Sequence, residues 1–561
     1  MTPRTVQIVL AGLLLGGCLV PVAAWPDTSL IVHLPDSPGE GVGPLRGLNV
    51  LLRDTSPSLL DRLVKDGGLR GTLVRFWLDF GVGGAVRDPA LAGAISTVRR
   101  SGGIPLVVVG ATPKALASLP DERHQPGGWP RFAASPPRDL PAWGRLIHEA
   151  VSYLNIQQRA GVQFLEVWNE PDSRAFWGGT EGEYLALYEA TARAAKRADP
   201  TIRVGGPALT RWNALLPGGS GPGIRALLRA GRDRKLPVDF LSWHEYGSDP
   251  WLLAQSGAVP TIRAWRDEMG FPRAALILSE WNRGIPHPHP LEALDGPENA
   301  SYLVTRALQF LRLGVDYNAF FMLQDGAWEA KTEFAGQSLG LVTVNGVVKP
   351  SYYAFRLLGE MRGQRLHVEQ RGDPRVSSLA TRRGKEVRVL VTFHPEEGGW
   401  RPSPETVRIV LRGEEVRSRR LRYSRSLVDD DHGNGFRVRS RIRQEMEGAA
   451  AAGLRAGRSH LEAQGYAPEA IDRYLRSYMA ERSLPGSSDL PAAVIRDFSE
   501  AEKVTQEVAG GALRAKAEEI NDWPEVALRV EEGLVEPADS PELTVRMRPY
   551  GAALLRFRPF E

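Results

Sequence analysis

Two acidic residues, each closing an apolar run of strand-like composition, carry the chemistry this sequence can offer. In Phe164-Leu165-Glu166-Val167-Trp168-Asn169-Glu170-Pro171-Asp172 a hydrophobic run ends in Asn-Glu, and Pro171 stops the strand from continuing. Ala275-Leu276-Ile277-Leu278-Ser279-Glu280-Trp281-Asn282 repeats that construction about 110 residues later. Two carboxylates facing one another across a shared mouth suit cleavage of an acetal. One gives a proton to the departing oxygen, and the other stabilises or attacks the oxocarbenium-like centre. A gap of about 5–5.5 Å between them favours retention of configuration, and a wider gap favours inversion. Either acid alone reads equally well as half of a strand-end ion pair; the repeated construction is what argues for a reaction.

These acids need a frame that brings distant strand ends together. Apolar, β-branched segments at 47–52, 73–78, 106–110, 164–168, 203–206, 240–244, 275–279 and 319–323 alternate with stretches of helical period at 59–65, 90–101, 143–159, 181–198, 224–230, 262–269 and 300–313. Eight strands alternating with helices is the arithmetic of a (β/α)8 TIM barrel, which carries its chemistry at the C-terminal ends of its strands. A doubly wound sheet is the alternative, but no glycine-rich phosphate loop follows the first strand. Beyond residue 360 the pattern changes to short strands separated by turns, as in a β-sandwich. The division expected is an α/β chain with a catalytic barrel over 45–360 and a C-terminal β-sandwich domain over 361–437 and 530–561. Residues 438–529, rich in Ala, Glu and Arg, form a helical insertion in it, and 28–44 add an N-terminal strand.

Composition narrows the remaining classes. A length of 561 residues calls for more than one core, and a net charge of +4 without a concentrated basic tract before the C-terminal third argues against nucleic acid as a partner. Cys18 is the only cysteine, so an intramolecular disulfide is excluded, as are thiol catalysis and Cys-ligated metals in the mature body. Residues 1–24 combine an Arg-bearing start, an apolar run over 6–15 and small residues, the pattern of an export signal. Val22-Ala23-Ala24 suits ordinary cleavage, and Leu15-Gly16-Gly17-Cys18 resembles a lipobox. Both imply a periplasmic, secreted or membrane-anchored product, with membrane contact only through a lipid at Cys18.

Trp168-Asn169-Glu170-Pro171 and Ser279-Glu280-Trp281 resemble the acid/base and nucleophile motifs of clan A glycoside hydrolases, and the chain is most similar to glycoside hydrolase family 39, the β-xylosidase and α-L-iduronidase family. Further similar stretches are Gly103–Leu116, Val204-Gly205-Gly206-Pro207-Ala208, Lys349-Pro350-Ser351-Tyr352-Tyr353-Ala354-Phe355 and Leu427-Val428-Asp429-Asp430-Asp431-His432-Gly433-Asn434. The resemblance implies a retaining hydrolase of an extracytoplasmic oligo- or polysaccharide, with no cofactor. Glu280 would attack the anomeric carbon, while Glu170 first donates and then recovers a proton. It further implies that Asn169 binds the sugar 2-hydroxyl and that Arg75 stands near the nucleophile. Two departures bear on the sugar. Trp77 occupies the place where the family often has His, and the acidic pair after strand eight is only partly kept, by Asp325 and Glu329.

His244 and Tyr246 are two apart at the end of strand six, so they point the same way on an extended backbone, the phenol toward Glu280 and the imidazole toward the substrate. Eleven of the fourteen tryptophans fall between Trp77 and Trp328, an enrichment that fits either aromatic platforms for sugar rings or core packing. Trp328 is the leading platform, with Trp281 and Trp177 behind it, and Asp325 is a further substrate contact. His287-Pro288-His289 has too few accompanying ligands for a metal site and reads as a loop, so no metal is expected. A catalytically silent carbohydrate-binding barrel and a transglycosylase using the same site are the competing functions.

Overall fold

The computed structural model describes residues 27–35, 40–53, 55–66, 68–124, 128–284, 291–326, 332–335, 338–395, 403–472 and 492–560. The proposed export signal, Trp328 and the His287-Pro288-His289 stretch lie outside the described residues. No described helix is long and apolar enough to cross a membrane.

Eight parallel strands close into a barrel: β2 (Gly47–Val50), β3 (Leu73–Asp79), β4 (Ile104–Gly110), β5 (Phe164–Val167), β6 (Arg203–Leu209), β7 (Phe240–Tyr246), β8 (Ala275–Asn282) and β9 (Tyr317–Phe320). Closure excludes the open doubly wound sheet. These strands are buried on both faces, which is why they read as unbroken apolar runs rather than as alternating ones. Leu73, Leu106, Phe164, Phe240, Ile277 and Ala319 pack together as one buried cluster inside the barrel, at the N-terminal side of the strands. With period two, that layer puts Arg75, Glu166 and Ser242 on the inside of the next layer. The apolar floor thus sits below a polar storey.

The seam between β2 and β9 is narrow, with Leu48 paired to Phe320. Gly47 makes the closure possible. A Cβ there would stand 1.7 Å from the Asn318 carbonyl oxygen and 2.9 Å from that of Leu73.

The second domain is built on nine strands: β1 (Thr28–His33), β10 (Gln364–Arg371), β11 (Val376–Arg383), β12 (Glu386–Phe393), β13 (Glu405–Arg412), β14 (Leu421–Val428), β15 (Val530–Val535), β16 (Glu542–Met547) and β17 (Ala552–Pro559). Their order is β15-β14-β17-β12-β11-β10-β1-β13-β16, and the sheet folds over a core that includes Leu30, Val32, Val389, Val391, Ile409, Leu555 and Phe557. The segment β1 lies between β10, antiparallel, and β13, parallel.

Between β14 and β15 the chain leaves the sheet as two long helices, Arg439–Ala463 and Ala492–Asn521. Small residues let them touch: a Cβ on Gly453 would fall 2.4 Å from the Thr505 carbonyl oxygen, and one on Gly457 2.0 Å from Thr505 Oγ1. The pair also holds the chain that follows β9. Arg443 Nε donates to the Glu333 carbonyl at 2.9 Å, and Asn521 Oδ1 accepts from the Val348 amide at 2.8 Å while its Nδ2 donates to Gly346 O at 3.0 Å.

Gly47→Ala is expected to destabilise the protein by at least about 2 kcal/mol, as overpacking of a closed seam does. Gly43→Ala, where nothing lies within 4 Å of the added carbon, should stay within about 0.5 kcal/mol of wild type. Urea unfolding of the two variants checks this, and equal stabilities would contradict the seam's role.

Candidate active site

Glu170 follows β5, the fourth barrel strand, and Glu280 lies within β8, the seventh. Neither is delivered by a simple strand. Trp168 and Glu170 have φ of 73° and 46°, the left-handed region that β-branched and bulky residues avoid, at a cost of roughly 1–3 kcal/mol each. Neighbouring strands hold this turn: the Trp168 amide donates to Val109 O and the Glu170 amide to Ala208 O, both at 2.9 Å. In β8 the register against β7 slips by one residue, from Trp243 opposite Leu278 to His244 opposite Glu280. Ile277 faces the barrel interior, so strict alternation would turn Ser279 inward and Glu280 away. The bulge re-aims Glu280 into the barrel.

The centre of the polar storey is Arg75, which is fully buried. Its Nε donates to Glu166 Oε2 at 2.6 Å, Nη1 to Glu280 Oε1 at 2.6 Å and to Asn49 Oδ1 at 3.0 Å, and Nη2 to Asn169 Oδ1 at 3.1 Å. Burial works against its charge, but the carboxylates of Glu166 and Glu280 outweigh burial and hold the guanidinium above its ordinary pKa. Asn49 ties the group to the frame, donating from Nδ2 to the carbonyls of Ser279 and Ala319 at 3.0 and 3.1 Å.

The second oxygen of Glu280 is held from the other side. Tyr246 Oη donates to Glu280 Oε2 at 2.9 Å. Burial, and then the negative charge of Glu280, push the phenol far above its usual pKa, so it stays a neutral donor. His244 sits between the two glutamates, with Nδ1 2.8 Å from Glu170 Oε1 and 3.6 Å from Glu280 Oε2. Burial lowers the pKa of this imidazole, yet the charges of Glu280 and Glu170 and the hydrogen bond to Glu170 prevail and raise it. The side chain of Glu170 is 16 % exposed, against 6 % for Glu280. The more accessible carboxyl is therefore the one free to reach a leaving group.

One atom each from Glu170, His244 and Glu280 lie within 4.8 Å of one another. That triangle has the span of a metal site, but both oxygens of Glu280 already accept from Arg75 and Tyr246, which leaves them poor cation ligands. Proton and nucleophile chemistry fits the donor set better.

Of the residues expected from sequence to serve the site, Glu170, Glu280, Asn169, Arg75, His244 and Tyr246 converge. Three do not. Trp281 is buried under Phe310 and Phe320, with Nε1 donating to Asn318 Oδ1 at 3.0 Å, and Trp177 is buried edge-on against Trp168, donating to Thr180 O at 3.3 Å. Both are core residues with no face to offer a sugar. Asp325 is also buried, where Lys349 Nζ reaches it at 2.8 Å and Asp295 at 2.6 Å. Burial raises its carboxyl pKa, and Lys349 opposes that shift. This ion triad fastens together the chain after β8, the chain after β9 and the start of the helix Pro350–Glu360; Asp325 is a fastening, not a substrate contact.

Glu166 and Asn49 are missing from the sequence reading. A lone charged or amide side chain inside a strand buried on both faces must find a partner there, and that is the signal by which the sequence could have pointed to them.

Arg75→Ala leaves Glu166 and Glu280 buried without their counter-charge and should cost roughly 3–5 kcal/mol. Arg75→Lys should recover little, because an ammonium cannot serve four acceptors in a fixed plane. Thermal unfolding of both variants tests this; wild-type stability in the lysine variant would contradict it.

Comparison with known proteins identifies the family and the fold. The family model described as "Glycosyl hydrolases family 39" matches residues 94–438. A β-xylosidase of Caldicellulosiruptor saccharolyticus is 28% identical over 333 residues, covering 55% of this chain and 64% of that one. A β-xylosidase of Geobacillus stearothermophilus is 29% identical over 361 residues, covering 60% and 66%. The chain thus spans just under two thirds of the length of either curated relative. Among solved structures, a monomeric β-xylosidase from Caulobacter crescentus CB15 aligns with a TM-score of 0.64 at 20% identity, covering 95% of this chain and 100% of that one. The family 39 enzyme of Xanthomonas axonopodis pv. citri aligns with a TM-score of 0.64 at 19% identity, covering 97% and 100%. At these identities the structures speak for the shared fold. With the family model covering more than half of the sequence, the chain belongs to glycosyl hydrolases family 39.

Proposed function

We propose that the protein is a retaining glycoside hydrolase, with Glu280 as nucleophile and Glu170 as acid/base. The observation that carries this reading is the short separation of the two glutamates: an oxygen of one lies within 4.8 Å of an oxygen of the other, both measured through the shared cluster with His244. That spacing suits direct attack on the anomeric carbon and leaves little room for an intervening water.

The surroundings of each acid fit its role. Glu280 receives two hydrogen bonds from groups that stay protonated, Arg75 and Tyr246, so its charge is stabilised before attack and its lone pairs are oriented. In the first step Glu280 bonds to the anomeric carbon as the glycosidic oxygen departs with a proton from Glu170. In the second, Glu170 takes a proton from water as that water displaces Glu280. His244 Nδ1, 2.8 Å from Glu170 Oε1, shares that proton with Glu170 before the first step and again after the second. Asn169, whose Oδ1 accepts from Arg75, binds the 2-hydroxyl in this reading.

The substrate is a glycan outside the cytoplasm; the charged start, apolar run and Cys18 at residues 1–18 support this. β-Xylosides are the first substrates to try, since both curated relatives are β-xylosidases.

A panel of 2-fluoro-glycosides should trap a covalent adduct that peptide mass spectrometry maps to Glu280. Glu170→Ala should lose roughly 10²–10⁴-fold in turnover on substrates with poor leaving groups, the usual worth of a general acid. It should lose far less on those with good ones. An adduct on another residue, or full turnover by Glu280→Ala, would overturn the assignment.

The raised pKa of His244 sets the alkaline limit. The imidazolium is present below that pKa and lost as pH rises through it, and Glu170, Glu280, Arg75 and Tyr246 are the charged or titratable groups facing it. His244→Asn should therefore move the alkaline limb of the kcat/KM profile to lower pH. An unmoved limb would show that His244 does not hold the proton.

A further inference from the structure

One face of the second sheet changes character along its length. Leu379 of β11, Leu390 of β12, Val428 of β14 and Leu554 of β17 pack into the barrel core. Farther along the same strands, at even spacing and so on the same side of the pleat, stand Arg383, Arg388, Arg422, Arg556 and Arg558. Arg422 lies directly opposite Arg558, and Arg388 directly opposite Arg556. Like charges in directly opposed positions work against a sheet. Protection of an open edge does not account for them, since each of these four strands has a paired neighbour on both sides.

Arg383, Lys385, Arg388, Arg422 and Arg558 line a groove of about 690 Å³, and Glu386 is the one acid among its described lining residues. A second hollow of about 280 Å³ shares Lys385, Arg558 and Pro559 with it, so the two form one furrow. Glu386 is already engaged: burial opposes its charge, but Arg388 and Arg558 outweigh burial and hold its carboxyl below its ordinary pKa. Glu360 is likewise taken up by Arg556, at 2.7 Å. Glu532 of β15 shares the face but stands opposite Ser424. Among the described residues, Arg383, Lys385 and Arg422 have no carboxylate partner, and all three are exposed. Burial, and then the charges of Arg70, Arg383 and Arg388, lower the pKa of Arg362 nearby, with Glu360 opposing them. At the rim Phe560 is left 43 % exposed, with the Arg422 guanidinium 5.5 Å from its ring.

A row of unneutralised cations in a continuous furrow suits a chain that carries negative charge at intervals. A flat lipid surface does not enter such a recess, and an exposed ring beside the cations offers the apolar face on which a sugar packs. We propose that this furrow is a docking site for an acidic polysaccharide, whose carboxylates pair with Arg383, Lys385 and Arg422 while a sugar ring packs on Phe560. Arg70, whose charge reaches this region, precedes β3 at the end of the barrel opposite the catalytic carboxylates. The furrow therefore holds the polymer without blocking the mouth, and it raises the concentration of cleavable bonds near the enzyme. The proposal takes from the glycosidase reading only the choice of a glycan among polyanions.

The test uses the full protein and polygalacturonate, a linear carboxylated glycan, with phosphatidylglycerol vesicles and single-stranded DNA alongside. Calorimetry should show wild type binding polygalacturonate with an affinity that falls as salt is raised. Combining Arg383→Ser, Lys385→Ser and Arg422→Ser should weaken that binding roughly 5- to 100-fold, the worth of three exposed ion pairs. Hydrolysis of small nitrophenyl glycosides by this variant should match wild type, because none of the three residues touches the active site. Its melting temperature should equal or exceed that of wild type, since an opposed pair of like charges is relieved. Arg383→Lys with Arg422→Lys, which keeps both charges, should retain most of the affinity. Phe560→Ala should weaken binding while leaving its salt dependence unchanged. Equal affinity in wild type and the serine variant, or no binding by wild type, would sink the proposal; with glycoside hydrolysis intact, the glycosidase reading would stand. Tighter binding of the vesicles or the DNA than of polygalacturonate at equal charge concentration would also overturn it, in favour of a membrane or nucleic-acid surface. Binding of polygalacturonate that the serine variant loses, without hydrolysis of any glycoside, would uphold the furrow and remove the glycosidase reading.

Discussion

Everything at the mouth of this barrel depends on one buried guanidinium. Arg75 is the positive charge that lets two carboxylates, Glu166 and Glu280, persist where water does not reach. It also fixes Asn169, which precedes Glu170, and through Asn49 it is tied to the backbone of β8 and β9. A lysine has charge enough for this but not the geometry, because four acceptors around one plane need the fork of a guanidinium. The two glutamates consequently differ in kind. Glu280 is clamped by donors on both oxygens, and Glu170 is bonded to His244 and is the more exposed of the two.

That difference is made by backbone irregularity as much as by side chains. A left-handed turn after β5 lifts Glu170 out of the strand, and a bulge in β8 turns Glu280 inward. Both sit at strand ends where neighbouring carbonyls can absorb the strain. The barrel supplies rigid walls, and the reactive groups occupy the places where its regularity breaks.

How much of this was legible follows the same line. The eight strands and the second domain could be read because a parallel barrel needs continuous apolar runs and an antiparallel sheet needs short ones with turns. Tyr246 and the glutamates could be read because each ends such a run, whereas Arg75, third in β3, came through the resemblance to the family. The inward aim of Glu280 could not, since alternation counted from Ile277 assigns that face to Ser279, and only the pairing with β7 reveals the extra residue. Trp177 and Trp281 were misread because an aromatic downstream of a barrel strand or at its end has the same local sequence whether it lines a cleft or fills a core. Asp325 was misread for a related reason: its partners, Lys349 and Asp295, are 24 and 30 residues away, and nothing local announces them.

The position of β1 has a consequence for how the molecule comes together. Leu30 lies between Gln370 and Ile409, so an interior strand of the second sheet is separated from both its partners by the whole barrel sequence. Contacts so distant along the chain form late, because the entropy of closing the loop must be met before any hydrogen bond rewards it. The barrel has all of its own strands once residue 320 is present. The sheet does not, and until β1 docks, β10 and β13 each present an open row of amides and carbonyls to solvent. A segment made early is thus among the last to be satisfied, and its arrival seals two edges at once.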